Sequence, residues 1–315
     1  MLSSSVLLWG GFLVFVLGMM ALDLGVFNKH AHVVSTKESA IWTGVWVTLA
    51  LAFNAGVYYF MGKNPATEFL TGYLIEYSLS IDNIFVFILL FSYFKVEPAY
   101  RHRVLFWGII GALIFRATLI GVGAALIERF HWIIYVFGAF LIFTGLKMMF
   151  SKEEEPDPDK NPVVRFFKRH FAVADTYHGE AFFIKQAAKW VATPLFVVLL
   201  IIETTDIMFA LDSIPAIFAI TKDPFIVFTS NVFAIMGLRS LYFLLDGVMG
   251  LFRYLKVGLT FILCFIGIKM LLSNVWHVST GLSLGIVGGI LIASVVASLI
   301  IPAPKEEAHV TSHHG

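Results

Sequence analysis

Nine long apolar stretches follow one another along this 315-residue chain and limit what it can fold into. They lie near residues 6–27, 41–61, 69–94, 104–127, 131–150, 194–220, 225–246, 254–272 and 280–301. A helix needs about 20 apolar residues to cross the hydrocarbon core of a bilayer, and these stretches have about that length. With 59% hydrophobic and only 14% charged residues, a soluble monomer could not bury this much apolar surface. The sequence therefore predicts an all-α polytopic protein with about nine transmembrane helices in the lipid bilayer.

The composition narrows the class of protein further. A formal net charge of +1 gives no indication of nucleic acid binding. The one cysteine, Cys264, excludes a disulfide framework and a cluster of thiolate ligands. The sequence has no phosphate-binding loop, no His-Glu-x-x-His motif and no Ser/His arrangement of the kind that hydrolases use. We therefore expect neither an enzyme nor a permanently bound cofactor.

The distribution of basic residues predicts the orientation in the membrane. Nine spans place the two termini on opposite sides, and connectors rich in Lys and Arg stay in the cytoplasm. With the N-terminus outside, 15 of the 22 Lys and Arg residues fall in cytoplasmic connectors and 3 in external ones, while 4 lie within or at the ends of spans. This bias predicts an external N-terminus and a cytoplasmic C-terminus.

Two related acidic patterns lie inside these apolar stretches. Their polar residues are Glu76, Asp82 and Asn83 in the first pattern, and Glu203, Asp206 and Asp212 in the second. An ionised carboxylate at the centre of a bilayer costs about 3 kcal/mol, so such residues indicate a functional site by default. Five carboxylates on two related helices indicate a path for a cation.

The similarity extends from the acidic patterns into an internal repeat of three helices. Each acidic helix is followed by a helix with one central arginine, Arg116 or Arg239. A Gly-x-Lys-Met sequence comes next in both copies, at 145–148 and at 267–270. Three matched landmarks in the same order make a chance similarity a weak explanation.

This repeat divides the chain into six parts. The first repeat enters the membrane from outside and the second from the cytoplasm, so the two are predicted to be inverted, as in many transporters with a site at the bilayer centre. The parts are two N-terminal transmembrane helices (1–68), the first three-helix repeat (69–150), a cytoplasmic amphipathic loop (151–193), the second repeat (194–272), a final transmembrane helix (273–301) and a cytoplasmic tail (302–315). Within the loop, 163–169 alternates apolar and basic residues, which predicts a short helix anchored at the membrane surface.

Helical geometry limits how the carboxylates can meet. At 100° per residue, Asp82 lies about 120° around the helix from Glu76, and Asp212 lies about 180° from Glu203. Straight helices would therefore not direct all of these side chains at one ion. Pro215 predicts a break beside Asp212, because a proline cannot donate to the carbonyl four residues earlier. That carbonyl would then be free to bind a cation.

The donor chemistry favours a hard divalent cation. Carboxylate, amide and hydroxyl oxygens suit Mn²⁺, Mg²⁺ or Ca²⁺, whereas Zn²⁺ and Cu²⁺ recruit Cys or His. The candidate metal ligands are Glu76, Asp82, Asn83, Glu203, Asp206 and Asp212. Arg116 and Arg239 are expected to balance charge when the site is empty, which leaves three of the five negative charges uncompensated. One divalent cation would neutralise most of this excess, and H⁺ could replace the metal when it leaves.

The chain resembles the TerC family of integral membrane proteins, in particular its bacterial Alx-type members. The resemblance covers nearly the whole chain and rests on the segments 72–76, 82–83, 138–148, 211–216 and 230–239. It implies a protein of the bacterial inner membrane, associated with tellurite resistance in name and with Mn²⁺ export and metal homeostasis in activity. It also implies that the acidic residues used for transport are Glu76, Asp82, Glu203, Asp206 and Asp212.

These features together predict a transporter that exports Mn²⁺ from the cytoplasm through a carboxylate site at the middle of the membrane. Two alternatives stay open. One is a Ca²⁺/H⁺ or Mg²⁺ exchanger, which competition among metals would separate from a Mn²⁺ exporter. The other is a non-transporting membrane scaffold in metal or tellurite stress or in membrane-protein biogenesis, for which the loop 151–193 would matter most.

Overall fold

The computed structural model describes residues 2–25, 35–130, 132–150, 161–186, 189–246, 254–272, 275 and 278–301. Within these ranges the side chains of 2–7, 21–25 and 82 are outside the description. The helices are α1 (Leu2–Gly25), α2 (Thr36–Met61), α3 (Lys63–Tyr93), α4 (Pro98–Arg129), α5 (Ile133–Phe150), α6 (Pro162–His170), α7 (Pro194–Phe218), α8 (Pro224–Met236), α9 (Leu238–Asp246), α10 (Leu255–Leu271) and α11 (Thr280–Ile300). Two short antiparallel strands, β1 (Phe183–Gln186) and β2 (Lys189–Ala192), form a hairpin between α6 and α7.

The predicted class, an all-α polytopic membrane protein, is confirmed. All nine apolar stretches coincide with helices in the described residues. Six of these helices are long and apolar enough to cross a membrane (α2, α3, α4, α5, α7 and α11), and the bent pair α8–α9 would make a seventh span. Helix α10 has 17 residues, which is at the lower end of what a span needs. The total of nine spans stays a prediction.

Proline and capping residues at the helix starts explain where several of these helices begin. Helices α4, α6, α7 and α8 each have a proline in the first turn, where its missing N–H costs nothing. The side chains of Ser35 and Ser279 accept hydrogen bonds from the backbone N–H groups of Glu38 and Leu282 at the starts of α2 and α11. The short connectors therefore contain their own helix-start signals.

Two helices differ from the prediction in where they break. The predicted break at Pro215 is wrong, because α7 continues through this residue and ends one turn later at Phe218. Buried packing of Ser213 to Phe218 holds the last turn, and neighbouring helices commonly make such prolines tolerable in membranes. The predicted single helix 225–246 is instead bent by 40° at Gly237, where α8 meets α9.

The two predicted repeats pack in a pattern that relates one to the other. Helix α4 lies along α7, and α3 lies along α8. In the predicted repeats, α3 corresponds to α7, α4 to α8 and α5 to α10. Exchanging the corresponding helices converts the α4–α7 contact into the α3–α8 contact. The same exchange leaves the contacts α3–α7, α4–α8 and α5–α10 unchanged. This is the packing that a two-fold relation would produce. The inverted repeat and the division into six parts stay predictions.

Glycines bring the backbones of α5 and α10 together. A Cβ atom at Gly267 would lie 2.6 Å from the carbonyl oxygen of Gly138, and one at Gly145 would lie 3.1 Å from that of Thr260. Small residues at a helix contact in lipid allow the close approach that replaces the hydrophobic effect. By contrast, a Cβ atom at Gly285, Gly288 or Gly289 in α11 would meet nothing within 4 Å among the described residues.

The segment between α5 and α7 contains the short helix that the sequence predicts, α6, and the hairpin that it does not. Asn161 donates a hydrogen bond to Thr204 at 2.9 Å, which ties α6 to α7. The phenol of Tyr177 donates to the carbonyl of Phe94 at 2.7 Å, and burial raises the pKa of this phenol, so it stays a donor. The predicted tail 302–315 and the start of the loop, 151–160, lie outside the described residues.

Candidate functional site

A glycine-lined seam between α4 and α7 positions the candidate site. The pairs in contact along it are Gly108 with Ile202, Gly111 with Glu203, and Gly123 with Phe218. Because the residue numbers rise together, the two helices run in the same direction along the seam. The absence of side chains at these three positions of α4 lets α7 approach closely, and Arg116 lies between Gly111 and Gly123.

Arg116 is the centre of a buried ionic cluster that joins three helices and reaches a fourth. Its side chain is 1% exposed. The guanidinium binds Asp206 of α7 with two hydrogen bonds, Nε to Oδ2 at 3.1 Å and Nη2 to Oδ1 at 2.9 Å. It also forms an ion pair with Glu76 of α3 through Nη1. Longer contacts of 3.4 Å reach the hydroxyl of Ser213 and the amide oxygen of Asn231 in α8.

The cluster contains more acidic groups than basic ones, with two carboxyl groups around one guanidinium. One guanidinium faces two carboxylates if both are ionised, and a buried charge without compensation is strongly unfavourable. Within the described residues, Oε2 of Glu76 and Nδ2 of Asn231 are buried without a hydrogen-bond partner. The cluster therefore has an acceptor oxygen without a partner and acidic groups in excess, so it can take up a proton or a further cation.

Glu203 lies one helical turn before Asp206, so the acidic residues of α7 continue from the cluster towards the start of this helix. Its carboxylate rests directly against Gly111, where a side chain on α4 would collide with it. Oε2 of Glu203 is buried without a hydrogen-bond partner among the described residues. A buried carboxylate oxygen without a donor among the described residues is available as a ligand for a cation.

The other candidate ligands are distributed differently. Asp212 faces α5, where the hydroxyl of Thr144 donates to its Oδ1 at 3.1 Å. Asn83 is buried at 3% exposure, and Arg239 is buried at 8%. Asp82 lies in α3, but its side chain falls outside the described part. Glu76 and Asp206 are thus brought together, whereas Asp212 belongs to a separate contact.

Within the described residues, no group of three or more His, Cys, Asp or Glu side chains is arranged to hold a metal ion. Glu76 and Asp206 supply two carboxylates, and further donors would have to come from other oxygens or from a change in helix packing. The assignment of Glu76, Asp82, Asn83, Glu203, Asp206 and Asp212 as metal ligands stays a prediction.

Sequence reasoning did not identify Asn231 as a contact of Arg116 or Thr144 as a donor to Asp212. A signal for Asn231 exists, since Thr229, Ser230 and Asn231 form a polar run inside an otherwise apolar span, and all three are buried. Buried polar residues in a membrane helix point into the protein interior. Thr144 has no such signal, because threonine is common in transmembrane helices and can satisfy its hydroxyl within its own helix.

A small cavity includes one residue of the cluster, Asp206, in its lining. Its volume is about 10 Å³, and its lining includes Asp206, Gly108, Phe87 and Ile235. A space of this size is close to the minimum that holds one water molecule. Asp206 therefore lines a space of about the size of one water molecule.

The fold and the site define the chain as a polytopic integral membrane protein with a charged cluster buried among its helices. Residues 61–306 match the model of the integral membrane protein TerC family, and the chain belongs to this family. That match begins at the end of α2 and includes every residue of the cluster.

Relatives of similar length support this assignment. The chain is 52% identical over 293 residues to "Uncharacterized membrane protein STKORF319" of Myxococcus xanthus, which covers 93% of this chain and 92% of the relative. It is 49% identical over 299 residues to "Putative membrane-bound redox modulator Alx" of Salmonella typhi and 48% identical to the protein of that name in Escherichia coli K12, each covering 92% of this chain and 93% of the relative. No solved structure matches the chain.

Proposed function

We propose that this protein exports Mn²⁺ from the cytoplasm in exchange for H⁺, through a site formed around Glu76, Asp206 and Arg116. The observation that supports this most strongly is the charge of the cluster. Two carboxylates from the two acidic helices meet at one buried guanidinium. A purely structural ion pair would need one carboxylate, and the second one provides binding capacity for a cation or a proton.

In the metal-free state, Arg116 compensates the carboxylates. A divalent cation that approaches Glu76 and Asp206 repels the guanidinium, so binding requires Arg116 to move or requires further carboxylates to join. Glu203, half-buried and one turn from Asp206, would be the first ligand or proton carrier on the cytoplasmic side. Release of the cation lets Arg116 return, while protons neutralise the remaining charge.

The choice of metal rests on two different supports. The oxygen donors favour Mn²⁺, Mg²⁺ or Ca²⁺ over softer metals. The preference for Mn²⁺ among these three comes only from the resemblance to Mn²⁺-exporting members of the family. The location in the bacterial inner membrane and the external N-terminus belong to the same proposal, and both follow from this resemblance and the distribution of basic residues.

The test is Mn²⁺ flux in proteoliposomes that contain the purified protein, together with Mn²⁺ accumulation in cells. We expect Asp206→Asn and Glu76→Gln to abolish flux and Asp82→Asn to reduce it strongly. Glu97→Gln is the matched control, because Glu97 is an exposed acidic residue before α4 whose side chain caps nothing. Normal flux in Asp206→Asn would refute the site. If unlabelled Ca²⁺ or Mg²⁺ inhibited the flux of labelled Mn²⁺ more strongly than unlabelled Mn²⁺ does, the choice of metal would be refuted.

A second candidate function comes from the relatives named as redox modulators. With one cysteine, this chain cannot form an internal disulfide. A redox effect of this chain would therefore be explained by altered metal supply and not by thiol exchange within the chain.

A scaffold function predicts that the purified protein moves no ion, and flux measurements in the same proteoliposomes would reveal this.

A further inference from the structure

A second, larger cavity lies on the same seam as the cluster, beyond the C-terminal side of Arg116. Its volume is about 320 Å³. We call it the outer vestibule, and its lining residues are Ala124, Ile127, Glu128, Phe218, Lys222 and Pro224. The acidic and basic side chains of Glu128 and Lys222 are exposed, so part of the lining of this space is charged and accessible from outside the protein.

One aromatic ring separates the outer vestibule from the cluster. Phe218 lines the vestibule, is 4% exposed, and places its ring against Gly123 of α4. A Cβ atom at Gly123 would lie 2.8 Å from Cε2 of this ring, so the ring occupies the space that a side chain would otherwise fill.

The order of residues along both helices places the ring between the two sites. On α4, Arg116 comes seven residues before Gly123, which is about 10 Å along the axis. On α7, Ser213 contacts Arg116 and comes five residues before Phe218, about 7.5 Å along the axis. Since the two helices run in the same direction, a cation that leaves the cluster along this seam must pass Phe218 before it reaches water.

We propose that the outer vestibule is the exit of the transport path and that Phe218, seated on Gly123, closes it in the state seen here. This inference rests on the proposed function for the identity of the cation. An apolar ring across a narrow seam blocks a hydrated ion, and an aromatic side chain can clear the seam by rotating about two torsions. The glycine is required because only a residue without a side chain leaves room for the ring.

The test measures access, not transport, so that it can fail separately from the proposed function. In a Cys264→Ser background, Ser213→Cys places one thiol at the cluster, and Ala124→Cys places one in the vestibule as the matched control. Intact cells are treated from outside with a membrane-impermeant cationic methanethiosulfonate reagent. With Phe218 present, we expect Ala124→Cys to react and Ser213→Cys to react slowly.

Adding Phe218→Ala should raise the rate at Ser213→Cys on the order of tenfold, because thiol modification depends on exposure, and leave the rate at Ala124→Cys unchanged. Gly123→Ala is the second variant, since its methyl group displaces the ring without removing a core side chain, and we expect a smaller increase. The inference would be overturned if neither Phe218→Ala nor Gly123→Ala raised the rate at Ser213→Cys, or if Ser213→Cys reacted rapidly with both Phe218 and Gly123 in place. Opened access together with no Mn²⁺ flux in the unsubstituted protein would instead overturn the proposed cation and leave the closure by Phe218 standing.

Discussion

At the scale of single residues, the fully buried Arg116 dominates the behaviour of the site. Its guanidinium is held by carboxylates from two different helices and by no described water-exposed group. Burial of an unpaired charge costs far more than burial of a pair, so each partner depends on the others. The cluster therefore links the stability of the helix bundle to the charge state of the proposed transport site.

We expect Arg116→Gln to lower the free energy of unfolding by about 3–5 kcal/mol, because it leaves two carboxylates buried without a cation. Thermal unfolding in mild detergent would measure this loss. Arg129→Gln, at the exposed end of the same helix, is the control and should change little. The triple variant with Glu76→Gln and Asp206→Asn should recover much of the stability. A stable Arg116→Gln protein would mean that the carboxylates are already protonated or hydrated.

Gly111 provides a test of Glu203 that leaves its carboxylate chemically intact. A methyl group at Gly111 would overlap the Glu203 carboxylate, so Gly111→Ala must push that side chain away from its present position. We expect most of the Mn²⁺ flux to be lost in proteoliposomes. Gly121→Ala is the matched control on α4, because in the described part of the chain nothing lies within 4 Å of a Cβ there. Equal flux in the two alanine variants would remove Glu203 from the mechanism.

Sequence periodicity gave part of this site correctly. The angle of about 180° between Glu203 and Asp212 predicts that they face different neighbours. Glu203 indeed faces α4, and Asp212 faces Thr144 of α5. The pairing of Glu76 with Asp206 through Arg116 could not be predicted, because it depends on how far three helices are rotated and shifted against each other.

At the scale of helices, the contact between α5 and α10 depends on the absence of side chains. We expect Gly267→Ala to lower the free energy of unfolding by about 1–3 kcal/mol, because its methyl group would lie 2.6 Å from the carbonyl oxygen of Gly138 and must separate the two backbones. Unfolding in detergent would measure the effect. Gly288→Ala in α11 would place its methyl group where no described residue lies within 4 Å, and it should be neutral. Equal stability of both variants would show that α5 and α10 can separate at no cost.

Helix positions were predictable, but their interruptions were not. Apolar length gave all nine helical stretches, because only a helix satisfies its backbone hydrogen bonds within lipid. The rule that a proline breaks a helix failed at Pro215, where packing maintains the helix. The bend at Gly237 was not predicted, because no proline marks it in the sequence. The hairpin of β1 and β2 was missed because four-residue strands give little periodic signal.

At the scale of the whole molecule, the relation between the repeats determines how the site can open. An inverted pair can expose a central site to either side by equivalent motions of the two halves. A parallel pair has no such symmetry between inward and outward states. The packing of α3 with α8 and of α4 with α7 fits an exchange of the repeats, but the direction of each repeat in the membrane requires its own test.

Equivalent connectors of the two repeats provide that test. Lys95 follows α3 and Lys222 follows α7, and both are exposed. If the repeats are inverted, the two connectors lie on opposite sides of the membrane, with Lys95 in the cytoplasm as the distribution of basic residues predicts. In a Cys264→Ser background, we expect an impermeant thiol reagent added to intact cells to label Lys222→Cys but not Lys95→Cys. Permeabilised cells should be labelled at both positions, which controls for expression and reactivity. Labelling of both from outside, or of neither, would place the two connectors on one side of the membrane and contradict the inverted repeat, and alternating exposure by equivalent motions of the two halves would then be untenable.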